Sequence, residues 1–282
     1  MSSVLTVLAY ILLAPLAGGL ISGLDRKITA RMQGRVGPPV LQPFYDVRKL
    51  LGKENIVVNV SQKFYVFAFL LFVIFTGALF FAGADLLLVI FALTLANVFL
   101  ILGAYSTFSP YSFIGAEREL LQMMAYEPMV ILSAVGMYMV TKSFYVADIA
   151  AFDQPLILQL PGAFLGLVFI LTIKFRKSPF DLSMSHHAHQ ELVRGILTEF
   201  SGQELAMVEV AHWYENIFLL GFVYLFFAWN PVLAVAAAVI TYFLEIFIDN
   251  NAARLNWQLT VVYSWAAAAV LGAGNIIVLA LR

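Results

Sequence analysis

The chain alternates between long apolar stretches and short polar segments, a pattern typical of a protein that crosses a membrane several times. The hydrocarbon core of a bilayer is about 30 Å thick, so each helix that spans it needs roughly 20 apolar residues. Eight stretches meet this requirement, at about 4–24, 64–84, 86–105, 119–140, 156–175, 204–228, 231–249 and 259–281. The pattern predicts an all-α fold, in which residues 1–282 form a single integral membrane domain with about eight transmembrane helices.

Two pairs of neighbouring spans are separated by only a few residues. Gly83-Ala84-Asp85 lies between the second and third spans, and Asn230-Pro231 lies between the sixth and seventh. Glycine, proline and asparagine are the residues that most often interrupt regular structure. Both segments are therefore predicted to form tight turns.

The polar segment after the first span contains a further short helix. Its apolar residues recur at helical spacing, at Val40, Phe44, Val47 and Leu51. Its charged residues face elsewhere, namely Asp46, Arg48 and Lys49. This spacing predicts an amphipathic helix that lies in the membrane interface.

The composition supports a membrane protein and limits its chemistry. The chain is 62% hydrophobic and 12% charged, whereas soluble domains average roughly 45–50% apolar and about 25% charged residues. Cysteine is absent, so the chain has no thiolate for zinc, nickel or an iron–sulfur cluster. We therefore expect no redox cofactor and no metal on this chain. No nucleic-acid partner is expected either.

The basic residues fall almost entirely on one side of the predicted topology. Fourteen of the 16 lie at the loops that follow the odd-numbered spans, which leaves Lys142 and Arg282 on the other side. Basic residues concentrate in cytoplasmic loops. The two largest such loops, 25–63 and 176–203, are therefore predicted to be cytoplasmic, and both termini external.

Acidic residues at bilayer depth are costly and are usually functional. Glu127 lies well inside the fourth span, and Glu119 lies two turns earlier on the same helical face. Glu204 and Glu209 lie in the first turns of the sixth span, and His212 follows Glu209 by three residues. Buried groups of this kind can pass protons along a hydrated interior path.

A simpler interpretation applies to acids near the ends of helices. Glu204, Glu245 and Asp249 could reach the membrane interface and have no further role. For Glu127 this interpretation is less favourable, because eight residues of helix place it about 12 Å from Glu119.

Two sequence blocks resemble a known family. Residues 30–51, ARMQGRVGPPVLQPFYDVRKLL, resemble the loop after the first span of the H-type membrane subunit of respiratory complex I, the NADH dehydrogenase subunit 1 family. SPFDL at 178–182 and QELVRGILTEFSG at 190–202 resemble that family's main cytoplasmic loop. The family includes the homologous subunit of membrane-bound, energy-converting [NiFe] hydrogenases.

Three departures from the complex I pattern make the chain more similar to the hydrogenase branch, of the Ech type. The segment RVGPPVLQP at 35–43 is shorter than its complex I counterpart. IDNNAARLNW at 248–257 replaces a stretch similar to PRFRYDQLM, and His212-Trp213 replaces Glu-Tyr. These departures put a quinone pocket in doubt. A quinone-site subunit of complex I or a related dehydrogenase remains the alternative.

The resemblance implies a non-redox subunit of an oxidoreductase complex in a prokaryotic cell membrane. Expected partners are the hydrogenase small and large subunits, an iron–sulfur subunit, an antiporter-like membrane subunit and the lipid bilayer. The [4Fe–4S] clusters and the NiFe centre would lie on those partners. The complex would couple ferredoxin-driven proton reduction to export of H⁺ or Na⁺. An independent carrier and a purely structural anchor are two further hypotheses.

The resemblance also assigns roles to individual residues. It places Glu191 and Glu199 in the loop beneath the redox arm and Glu127 in the buried path. With Glu119, Glu204, Glu209 and His212, these residues form the expected proton pathway. The expected docking residues are Arg35, Asp46, Asp181 and Arg194.

The histidine-rich segment MSHHAHQE, at 184–191, allows three interpretations. His186, His189 and Glu191 could bind a metal, but they would form an incomplete ligand set. The segment could also be a solvated or partner-contacting loop. Alternatively, His187 and His189 stand where complex I sequences carry two glutamates, which predicts groups that exchange protons near neutral pH.

Overall fold

Helices form every regular element in the described part of this computed structural model, which covers residues 3–54, 59–177, 179–181, 183–184 and 192–281. The long helices are α1 (Ser3–Met32), α3 (Val60–Ala82), α4 (Leu86–Tyr105), α5 (Pro110–Thr141), α8 (Pro161–Lys174), α9 (Gly202–Leu225) and α10 (Pro231–Asn251). The last span consists of α11 (Trp257–Ala267), a π-helical turn (Ala268–Ala273) and α12 (Gly274–Ala280). Shorter helices are α2 (Gln42–Leu51), α6 (Val146–Ala150), α7 (Leu156–Gln159) and a 3₁₀ turn (Gly195–Leu197). The all-α membrane fold predicted from the sequence is confirmed.

The predicted count of eight spans is only partly supported. Within the described ranges, six helices are long and apolar enough to cross a membrane. The two other predicted spans correspond to α8, which has only 14 residues, and α9, which carries three glutamates. The predicted span 156–175 is in fact interrupted at Leu160, because Pro161 begins a new helix there. Proline lacks the backbone N–H that a continuous helix would need.

Capping residues explain several of the observed boundaries. The Asp85 carboxylate accepts hydrogen bonds from the backbone N–H groups of Leu87 and Leu88 and so begins α4. Gly83 ends α3 with a φ of 83°, a conformation that glycine adopts without strain. The Asn230 side chain caps α10 in the same way as Asp85 caps α4. Both predicted turns are confirmed.

The contacts between loops show which loops lie at the same end of the helix bundle. At one end the loop after α8 meets the loop after α10, since Leu255 N–H donates to the Pro179 carbonyl at 2.6 Å. At the same end Lys177 pairs with Asp25 of α1. At the other end Leu86 N–H donates to the Phe144 carbonyl at 2.8 Å. The loops predicted to be cytoplasmic therefore meet one another, although their side of the membrane remains a prediction.

The amphipathic segment after the first span forms α2, as predicted, but its boundary with α1 differs. Residues 25–32 of the predicted loop 25–63 continue α1, so the connecting loop is shorter than expected. The Phe44 ring of α2 packs against Trp213 of α9, with ring centroids 5.1 Å apart. Leu51, assigned to the apolar face, is 55% exposed within the chain.

Glycines in α1 let this helix lie very close to its neighbours. A Cβ atom on Gly18 would lie 2.4 Å from the carbonyl oxygen of Trp213 in α9, and one on Gly19 would lie 2.5 Å from the ring of Phe44. One on Gly23 would lie 1.8 Å from the Val40 carbonyl oxygen. Small residues permit such close backbone approach between membrane helices. The first helix is thereby fixed against both α2 and α9.

We predict that Gly18→Ala destabilises the protein by about 1–3 kcal/mol, the usual cost of overpacking. Gly274→Ala is the matched control, because Gly274 is also helical and its Cβ would meet no atom closer than 4.0 Å. Alanine there should leave stability unchanged or raise it by up to about 1 kcal/mol. Thermal unfolding of the purified protein in detergent measures both. Equal midpoints for the two variants would contradict the close packing.

Candidate functional site

A buried ion-pair cluster joins α8 and α9. Lys174 is the last residue of α8, and its Nζ lies 3.0 Å from Oε1 of Glu215 in α9. Arg176 Nη2 lies 3.2 Å from the other oxygen of Glu215, and His212 Nδ1 lies 3.5 Å from it. Lys174 is 6% exposed and Glu215 is 2% exposed. Burial of such charges is favourable only when they are paired, so the two cations and Glu215 are held in place together.

A tyrosine connects this cluster to the fourth and fifth helices. Lys174 Nζ donates to the Tyr126 hydroxyl at 3.3 Å, and it also lies 4.3 Å from the centre of the Tyr126 ring. Asn97 of α4 donates to the same hydroxyl at 2.9 Å. Lys174 therefore contacts polar groups of both α5 and α9.

Glu127 is next to Tyr126 in the chain and is half-buried. Thr94 of α4 donates to its carboxylate at 2.8 Å. A cavity of about 20 Å³ has mostly apolar walls, and its polar lining residues are Glu127, Thr94, Asn97, Tyr126 and Lys174. This volume is sufficient for about one water molecule. A water molecule there could connect Glu127 to the tyrosine and the lysine.

Glu119, two turns earlier on α5, lies at a second small cavity. This cavity, of about 10 Å³, is also lined by Ser183, Arg176 and Glu215. It shares Tyr126 and Lys174 with the cavity beside Glu127. Glu119 and Glu127 thus lie at neighbouring cavities that meet at these two side chains.

Residues 179–181 and 183–184 close this region at the end of the bundle. The Ser183 hydroxyl donates a short hydrogen bond to Glu119. Asp181 is 2% exposed and lies 3.6 Å from Arg118 and 3.4 Å from Arg254. Arg118 also lies 4.8 Å from the centre of the Trp257 ring. These contacts fix the loop after α8 directly onto α5.

A second ion-pair cluster lies where α1, α8 and α10 meet. Lys177 pairs with Asp25 of α1 and lies 3.6 Å from Asp249 of α10. The Tyr242 hydroxyl donates to Asp25 at 3.3 Å. Lys177 is only three residues beyond Lys174, so the end of α8 supplies a cation to each cluster.

The remaining members of the expected pathway occupy different environments. Glu204 is fully buried, and neither of its carboxyl oxygens has a hydrogen-bond partner among the described residues. Glu199 and Glu209 are half-buried, and the Glu199 carbonyl accepts from Gln62 of α3 at 3.1 Å. His212 Nδ1 lies 3.5 Å from a carboxylate oxygen of Glu215.

His186, His187, His189 and Glu191 lie outside the described residues. Whether Glu204, Glu245 and Asp249 reach the membrane interface stays a prediction, but other parts of the chain cover all three side chains. Glu204 and Glu245 are 0% exposed, and the Asp249 side chain is 8% exposed, because neighbouring helices cover them.

The expected docking residues differ in exposure. Arg35 and Arg194 are exposed, and Arg35 Nε donates to the Gln33 side chain at 3.0 Å. Asp46 pairs with Arg26 at 2.6 Å. Burial of Asp46 disfavours its charged form, but hydrogen bonds from Arg26 and Gln42 outweigh this effect and lower the pKa of its carboxyl. Asp181, by contrast, is buried, and it pairs with Arg118 and Arg254 of the same chain.

Glu215, Lys174 and Lys177 were not identified from the sequence as site residues. The two lysines were counted only as loop charges, and Glu215 was not singled out. Its spacing of three residues from His212 within an apolar span was the available signal. Within the described ranges, no group of three or more histidine, cysteine, aspartate or glutamate side chains could hold a metal ion.

The fold and the buried ion pairs define a helical membrane subunit with a charged interior. A family model described as NADH dehydrogenase matches residues 4–280. The chain belongs to this family, that of NADH dehydrogenase subunit 1, also called the H-type subunit. The family predicted from the two loop motifs is confirmed.

Relatives come from more than one kind of complex. The chain is 32% identical to hydrogenase-4 component C of Escherichia coli, in a match that covers 67% of this chain but only 64% of that protein. It is 29% identical to the H-type subunit of NADH-quinone oxidoreductase from Syntrophotalea carbinolica, with 99% and 92% covered. Formate hydrogenlyase subunit 4 of Escherichia coli is 28% identical, with 88% and 89% covered.

A solved structure shares the fold. It is described as the membrane-bound sulfane sulfur reductase, an archaeal respiratory membrane complex. One of its chains superposes with a TM-score of 0.86 at 24% identity, over 99% of this chain and 100% of that chain. This likeness concerns the fold alone. The relatives named above are subunits of oxidoreductase complexes.

We predict that Glu215→Gln destabilises the protein by about 3–5 kcal/mol, because Lys174 and Arg176 would lose their shared anion in a buried site. Asp46→Asn is the matched control. It also removes one carboxylate charge, but its ion pair with Arg26 is exposed and contributes about 1 kcal/mol or less. Chemical unfolding in detergent measures both variants. A loss of similar size in both would show that the buried cluster is not a major source of stability.

Proposed function

We propose that this chain is the non-redox membrane subunit of an energy-converting, membrane-bound [NiFe] hydrogenase of the Ech type. It anchors the cytoplasmic redox arm and couples ferredoxin-driven proton reduction to translocation of H⁺ or Na⁺. The observation that carries this proposal is the polar series from the buried Ser183 and Glu119, through the buried Lys174 and Tyr126, to the half-buried Glu127. This series begins in the loop after α8 and continues into the bundle interior.

This arrangement allows electrostatic coupling between electron transfer in the redox arm and proton uptake by this chain. Glu119 is hydrogen-bonded to the segment that the family resemblance places beneath the redox arm. Inside a protein, a change of charge acts more strongly and is screened less than in water. Reduction of a partner's redox centre near this end would favour proton uptake by the nearest carboxylate. The shared cavities at Tyr126 and Lys174 then offer a route for protons toward Glu127.

Lys174 has a specific role in this route. Its fixed positive charge lies at the junction of the two cavities and is balanced by Glu215. A free proton at this junction would be repelled by Lys174, whereas the Tyr126 hydroxyl can accept and donate hydrogen bonds. Proton transfer would therefore pass through hydroxyl groups and water, and the cation would set the barrier between Glu119 and Glu127.

The hydrogenase assignment is supported by two relatives, hydrogenase-4 component C and formate hydrogenlyase subunit 4. It is also supported by His212-Trp213 and by the short RVGPPVLQP segment. The alternative is a quinone-site subunit of complex I or a related dehydrogenase. The observation that favours it is the match to the H-type subunit of NADH-quinone oxidoreductase over 92% of that relative's length.

We also propose the partners of this chain and its location in the cell membrane. Hydrogenase small and large subunits and an iron–sulfur subunit would dock on the loops 25–63 and 176–203, and an antiporter-like subunit would lie beside this chain in the cell membrane. The partners would hold the [4Fe–4S] clusters and the NiFe centre. His187 and His189, in the second loop, are proposed to exchange protons with Glu191 and Glu199. Both termini would be external.

We predict that the intact complex, purified through this chain, contains nickel and iron and evolves hydrogen from reduced ferredoxin. Metal analysis and gas measurement on the detergent-solubilised complex provide the check. The control is the same preparation assayed for quinone reduction. A complex without nickel that reduces quinone would overturn the hydrogenase assignment and favour the alternative.

A further inference from the structure

Glu245 of α10 is a buried carboxyl group outside the Glu119–Glu127 series. It is 0% exposed, and it lies six residues before the end of the helix. The Thr172 hydroxyl of α8 faces it, but neither carboxyl oxygen forms a well-aligned hydrogen bond to any described residue. An ionised carboxylate with no partner is one of the most unfavourable groups to bury.

The only cation that faces Glu245 in the described part of the chain is already occupied by two other acids. Lys177 contacts Asp25 of α1 and lies 3.6 Å from Asp249, which follows Glu245 by one turn of α10. Tyr242, on the same helix, donates to Asp25. With Glu245 ionised, three carboxylates would share one ammonium group in a buried site.

We propose that Glu245 carries a proton in the resting protein and is a second proton-holding site of the complex. The proposal rests on the coupling function proposed above. In the resting state Lys177 pairs with Asp25 and Asp249, and Glu245 is a neutral acid. The proton on Glu245 removes one negative charge from the buried cluster.

The proton on Glu245 has an acceptor within the same cluster. Residues four apart on a helix are neighbours on one face, so Glu245 can transfer its proton to the carboxylate of Asp249. The product has Asp249 neutral and Glu245 ionised, with Lys177 available to pair with Glu245. One O–H bond breaks and one forms, and the net charge of the cluster does not change. No buried charge is therefore created during the transfer.

The position of Lys177 connects this site to the ion-pair cluster of Lys174 and Glu215. Lys174 pairs with Glu215 and Lys177 pairs with Asp25 and Asp249. Lys174 ends α8, and Lys177 follows it by three residues. A small displacement of this end would change the electrostatic environment of both clusters at once. Proton occupancy at Glu245 would thus respond to events along the Glu119–Glu127 series.

Infrared spectroscopy of the intact purified complex tests the protonation state. A neutral carboxylic acid has a C=O stretching band that a carboxylate lacks. We expect the band to be lost in Glu245→Gln and retained in the matched control Asp249→Asn, because the Asp249 carboxylate pairs with Lys177. Glu245→Asp, which keeps an acid, should retain a shifted band. An unchanged band in Glu245→Gln would overturn the proposal.

The role of Glu245 in ion translocation is tested in vesicles that contain the complex. We expect Glu245→Gln to evolve hydrogen while it translocates fewer ions per hydrogen molecule than the unmodified complex, with Glu245→Asp intermediate. Translocation equal to that of the unmodified complex would overturn the role of Glu245. If the unmodified complex itself translocates no ions, the coupling function fails, whereas the infrared band still decides whether Glu245 holds a proton.

Discussion

The fold depends on one constraint, that charges buried among membrane helices must be paired. Lys174 and Glu215 are nearly inaccessible, and each would be strongly destabilising without the other. Their pairing fixes the end of α8 against α9 and directs the Lys174 ammonium toward Tyr126. The two cavities beside Glu119 and Glu127 meet at these side chains. The stabilising ion pair and the proposed proton route therefore share the same atoms.

The short helix α8 has a central position in this arrangement. Pro161 delays its start, and it ends at Lys174, so Lys174, Arg176 and Lys177 lie at the end of the bundle where the loops after α1 and α10 also meet. Their placement links the loop beneath the proposed redox arm to two separate groups of buried carboxyls.

Much of the fold follows from local pattern, whereas the site depends on distant pairing. Hydropathy located α4 at 86–105, the same bounds that the structure has, and it identified α2 and both tight turns. Glu119 and Glu127 were found because an acid within an apolar span is conspicuous. Glu215 was missed because its partner Lys174 is 41 residues away and resembled an ordinary loop charge. Burial of Glu204 and Glu245 likewise depends on which helices pack together, and periodicity does not reveal this.

The central claim is that Glu127 conducts protons between the redox arm and the membrane. The most direct measurement is ion translocation per hydrogen molecule evolved, in vesicles that contain the complex with Glu127→Gln. Glu117→Gln is the control, since Glu117 lies on the same helix but is exposed. We expect translocation to fall to the level seen with a protonophore in Glu127→Gln, with the control unchanged. Undiminished translocation in Glu127→Gln would contradict the account.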